Sequence, residues 1–142
     1  MNEPDDGGAG VNTSLPRRAA RTRALEVLFA ADVRDVGPDG LLDDGRWVDP
    51  FTRQLVATVV EHRDEVDQLI ADRAEGWSLQ RMPAVDRNVL RLGVTEMLFV
   101  ADVPPKVAID EAVELAKTLS TDSSPRFVNG VLAAIARARG LV

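Results

Sequence analysis

Residues 83–119 read PAVDRNVLRLGVTEMLFVADVPPKVAIDEAVELAKTL, and this stretch decides the fold. Pro83 suits a helix start, where its missing N–H would have no partner in any case. Val85, Val89, Leu92, Gly93, Met97 and Val100 recur mostly at intervals of three and four, which lines them along one helical face. Asp102 to Pro105 ends that helix, because consecutive prolines cannot continue it. A second helix over Lys106 to Leu119 puts Ile109, Ala112, Val113, Ala116 and Leu119 on one side. Two amphipathic helices joined by a short proline loop bury their apolar faces against other helices. No segment alternates in the manner of a strand. The predicted fold class is all-α, a compact bundle of about six or seven helices.

The flanks carry the same punctuation. Toward the C-terminus, Ser124-Pro125 reads as a cap followed by proline. Phe127, Val128, Val131, Leu132 and Ile135 then form a last stripe, closed by Gly140. Gly130 falls inside this stripe and predicts a close approach by another helix. Toward the N-terminus, Asp49-Pro50 opens a run of apolar residues from Phe51 to Ala74. Its phase shifts between Val60 and Val66, which predicts two helices or one kinked helix. Trp77 to Met82 is a connector. A first helix is expected from near Ser14 with Pro16 in its first turn. Leu25, Leu28, Phe29, Val33 and Val36 form its buried face, and Gly37 to Gly40 ends it. Leu41, Leu42 and Trp47 are expected to pin the following loop. Residues 1–13 read as a disordered, acidic, glycine-rich tail, and 14–142 as one domain.

Composition narrows the function. The chain of 142 residues has no cysteine and one histidine, His62. Thiolate metal sites, disulfides and a cysteine nucleophile are thereby excluded, as is a histidine-based metal site. No cofactor or metal is expected. The glycines of the tail do not follow a strand, so they are not a nucleotide loop. Asp110, Glu111 and Glu114 lie on one helix, where an acidic outer side is the usual solvated face. No nucleophile–base set stands out, and an enzyme is not predicted. The tail lacks the basic start and apolar core of a signal peptide, so a cytoplasmic protein is expected.

The net charge of −6 argues against general nucleic-acid binding, but the charges are separated. Arg17, Arg18, Arg21 and Arg23 form a cluster with no acid between Ser14 and Leu25. Past Asp122 there are Arg126, Arg137 and Arg139 and no acid. Cations in the first turns of a helix face the positive end of its dipole and repel one another. Phosphate would make the same arrangement favourable. Charge alone leaves two readings, a phosphate-binding entrance and a solvated helix end. Four Phe, two Trp and no Tyr do not suit a long stacking platform, so a short RNA site fits better. Spacing alone assigns Phe127, Trp47, Trp77, Met82 and Met97 to packing.

Two stretches resemble the NusB family closely, Val107 to Lys117 and Phe127 to Leu132. Val85 to Leu92, with Glu96, resembles its central helix, and the Arg-rich lead into Ala24 to Phe29 resembles its first. The resemblance runs in order from about Arg17 to Ile135. It implies an antitermination factor that binds single-stranded boxA RNA of ribosomal RNA operon leaders. The ribosomal protein that doubles as NusE is the implied partner, and the RNA polymerase elongation complex the implied destination. RNA-binding positions fall on Arg17, Arg18, Arg21 and Arg23, and on Ser123, Arg126 and Phe127. NusE-facing positions fall on Phe29 and Asp86. Two residues depart from the family pattern: Phe29 stands where tyrosine is frequent, and Ser123 where some relatives carry an acid. Monomeric and homodimeric relatives both exist, so a homodimer stays open. The competing readings are a protein-binding adaptor with incidental RNA contact and a helix-turn-helix DNA binder, for which no recognition helix stands out.

Overall fold

In the computed structural model, residues 16–43 and 45–142 are described; the predicted tail and Ser14 lie outside them. Seven α-helices occupy the described residues: α1 Arg17–Arg34, α2 Pro38–Leu42, α3 Pro50–Glu61, α4 Arg63–Arg73, α5 Ala84–Phe99, α6 Pro105–Leu119 and α7 Ser124–Ala138. A 3₁₀ turn, Leu79–Arg81, precedes α5. Among the described residues there is no strand, and no helix is long and apolar enough to cross a membrane.

Helix α5 is the axis of the bundle and packs on α1, α3, α4, α6 and α7. Every residue from Asn88 to Met97 is buried, including Asn88, Arg91, Thr95 and Glu96. The apolar stripe read from the sequence is therefore only part of what this helix hides. Gly93 explains how α6 and α7 come so close. A Cβ there would stand 2.8 Å from Leu132 Cδ1 and 3.1 Å from the Ala112 Cβ. Gly130, where close approach was expected, has open space around it. It lies on the exposed side of α7, so the spacing pointed to the wrong glycine.

Several boundaries follow their expected chemistry. The Asp49 carboxylate accepts from the Phe51 N–H at 2.9 Å, and Pro50 follows at the first helical position. The phase shift after Val60 becomes a real break at His62, which separates α3 from α4. Its ring stacks on Phe99 with centroids 3.7 Å apart. Other expectations are corrected. Asp35, in the left-handed region at φ 56°, ends α1, and the glycine–proline segment after it contributes α2 instead of a plain stop. Val33 and Val36 are exposed, since the core side of α1 is Ala20, Ala24, Leu25, Val27, Leu28 and Ala31. Of the loop apolar residues, Leu42 is buried, as expected of a pin, but Trp47 is exposed. Ser123, not Ser124, precedes α7.

Candidate nucleic-acid interface

Helix α1 starts directly after Pro16, whose side chain cannot cap it, and has no acid in its first turn. Ala20 and Ala24, both fully buried, let this end lie flat on the bundle. The Thr52 hydroxyl donates to the Ala20 carbonyl at 3.0 Å and fixes α3 alongside. Arg17, Arg18 and Arg21 consequently meet carboxylates of α5, α6 and the loop between them.

Their environments differ sharply. Arg21 is buried and grips Glu96 of α5, with Nε 2.9 and 2.7 Å from the two carboxylate oxygens and Nη2 on Oε2 as well. Its Nη1 also lies 3.4 Å from Glu111 Oε1. Arg18 makes a two-pronged bond to Glu111 of α6, Nε to Oε1 at 3.1 Å and Nη2 to Oε2 at 2.9 Å. The Arg18 side chain is nonetheless 68% exposed, against 17% for Glu111. Arg17 reaches Asp102 at 2.8 Å and lies over the Phe51 ring at 4.2 Å. Arg23 stands 3.6 Å from Glu26 on the same helix. The four arginines that the resemblance places at the RNA face thus stand in different environments. Arg21 is an internal strut, whereas Arg17, Arg18 and Arg23 present their guanidinium groups to solvent. Glu111, read from sequence as part of a solvated face, is a buried-side anchor of this cluster. A hydrogen bond from Arg18 holds its carboxyl below the usual range, against the opposing effect of burial.

A second feature forms where α6 hands over to α7. The Asp86 carboxylate, at the start of α5, is buried and accepts from the Ser120 and Ser124 hydroxyls. This ties down the turn carrying Ser123, which is exposed, as is Arg126. Phe127 is half-buried and meets Trp77 edge-on, with centroids 6.3 Å apart. Trp77 is half exposed, not packed away as expected. Trp77, Pro83, Asp86, Ser123 and Phe127 border a cavity of about 280 Å³. Asp86 is therefore first a strut of this turn. Its resemblance-derived place as a NusE-facing position is a proposal beside that role.

Phe29, the other resemblance-derived partner position, is 37% exposed, and Val33 and Val36 continue its stripe into solvent. Behind the stripe lies a network that sequence reasoning missed. Arg87 and Asn88 donate to Asp32 Oδ2 at 2.7 and 2.8 Å. Arg91 joins Asp32 to Asp67, and Arg63 also binds Asp67. Burial pushes the Asp32 carboxyl up, but the bonds from Arg87 and Asn88 and the two guanidinium charges outweigh it, so its pKa falls below the ordinary value. Asp32 and Asp67 are thus paired with arginines inside the protein. The arginines on α5 were the available signal, since a buried helix must partner its cations.

Among the described residues no cluster of acids and histidine is arranged to hold a metal. The NusB family model matches residues 18–137. The "Transcription antitermination protein NusB" of Nocardioides sp. is 52% identical over 126 residues, covering 85% of this chain and 93% of that protein. Among solved structures, T. maritima NusB superposes with a TM-score of 0.81 at 38% identity, covering 88% of this chain and 93% of the other. A crystal structure of the antitermination factors NusB and NusE in complex with double-stranded RNA matches with a TM-score of 0.74 at 33% identity, covering 86% of this chain and 96% of that one.

Proposed function

The chain belongs to the NusB family, and from that premise we propose that it is a transcription antitermination factor, not an enzyme. In this reading it binds boxA RNA of ribosomal RNA operon leaders together with NusE, in the cytoplasm, and the assembly joins elongating RNA polymerase. The observation that carries the reading is the pair of solvent-facing guanidinium groups, Arg17 and Arg18, at the start of α1. Arginine forks match phosphate oxygens, and the first-turn N–H groups favour an anion. Phe127, with Ser123 and Arg126 beside it, supplies an aromatic face for a base at the second feature. The two features share α5.

Phe29 and Val33 on α1, with Val36 just past its end, offer NusE an apolar stripe, with Asp35 and Asp39 on the same exposed end. A basic ribosomal protein is attracted to such a surface. The same stripe favours the adaptor reading, in which RNA contact is incidental. Titrating boxA RNA and a scrambled RNA against this protein, with and without NusE, separates the two. The proposal expects NusE to tighten boxA binding more than scrambled binding. The adaptor reading expects NusE capture with no gain in RNA affinity.

A further inference from the structure

The arginines that would receive RNA phosphates are not idle in the free protein. Arg18 is engaged by both oxygens of Glu111, and Arg17 by Asp102. A carboxylate that takes a guanidinium through two parallel bonds occupies the geometry that a phosphate would use. We infer that Glu111 and Asp102 set the affinity of the RNA site by competing with phosphate for Arg18 and Arg17. This inference rests on the RNA-binding reading above and specifies how that site is controlled.

The geometry favours exchange at these two pairs and not at the third. Arg18 lies on the solvent side of its pair, so a phosphate reaches the guanidinium without any helix moving. Glu111 does not become an isolated charge on exchange, because Arg21 Nη1 is 3.4 Å from its Oε1. Asp102 is 67% exposed and returns to water. An exposed ion pair such as Arg17–Asp102 contributes little to folding and yields readily. Arg21 and Glu96 are both buried, and breaking them would leave two desolvated charges. The three arginines and three carboxylates cancel one another in the free protein, so the entrance becomes basic toward RNA only as Asp102 and Glu111 give way. The hydrogen bonds from Arg18 and Arg17 hold both carboxyls below their usual range, so the competitors stay ionised at neutral pH.

The test is a double-mutant cycle on RNA affinity, using the full chain with NusE and single-stranded boxA RNA, with scrambled RNA alongside. Asp102→Asn with Glu111→Gln is expected to bind about threefold to tenfold tighter. The gain is expected for both RNAs, because phosphate contacts carry no sequence information. In an Arg17→Ala, Arg18→Ala background the gain is expected to vanish. Unchanged or weaker binding would overturn the inference, by showing that the carboxylates only position the arginines. A gain that survives loss of the two arginines would also overturn it, as an effect of net charge alone. Asp102→Asn by itself, at an exposed position, keeps the test open if Glu111→Gln impairs folding, with an expected gain of about twofold. Failure of both parent and variants to bind either RNA would instead sink the RNA-binding reading.

Discussion

Arg18 and Arg21 are one helical turn apart and do opposite work. Arg21 is enclosed with Glu96, so Arg21→Ala strands a buried carboxylate. We expect this variant to lose about 3–5 kcal/mol in chemical denaturation, with any loss of RNA binding following from unfolding. Arg18→Ala removes an exposed group and should cost under about 1 kcal/mol. The sequence displayed four arginines of equal standing. Partners such as Glu96 and Glu111 lie 75 and 93 positions away, beyond any local spacing rule. Asp32 makes the same point with a titratable group. Its folded pKa lies below the ordinary carboxylate value. Its contribution to stability is therefore full above the unfolded value, about pH 4, and is lost as pH falls through the lower folded value. Asp32→Asn should destabilise the protein clearly at pH 7 and progressively less below pH 4, as read from urea unfolding at both pH values. A constant difference across that range would remove the Asp32 charge from the account.

At the scale of elements, helix boundaries were legible wherever proline or an acidic cap marked them, as at Asp49-Pro50 and Pro104-Pro105. They were less legible where tertiary packing decided, as at the end of α1, where an aspartate in the left-handed region turns the chain. The two helical glycines separate local propensity from packing. Gly130 faces open space, so Gly130→Ala should stabilise α7 by about 0.5–1 kcal/mol. Gly93 sits against Leu132 and Ala112 on neighbouring helices. Leu132 is fully buried and has little room to yield. Gly93→Ala should therefore destabilise by about 1–2 kcal/mol, overpacking outweighing the gain in helix propensity. Thermal unfolding of the two variants should shift in opposite directions. Periodicity alone put the close contact at Gly130, because it shows which face is apolar and not how near the neighbouring helix comes.

For the molecule as a whole, the all-helical class and the order of elements were readable from the apolar stripes, while the form of the site was only half readable. Charge separation along the chain left a phosphate-binding entrance and a solvated helix end both open. It did not show that each entrance arginine is already paired, or that Asp86 holds the α6–α7 turn from inside. The central claim is that Arg17 and Arg18 take RNA phosphates. It is tested most directly by the salt dependence of boxA affinity in the NusE complex, comparing the parent with Arg17→Ala, Arg18→Ala. Each single-strand phosphate neutralised contributes about −0.7 to the log–log slope. The account predicts a slope shallower by about 1.4 in the double variant, with the thermal transition nearly unchanged. An identical slope in parent and variant would contradict it.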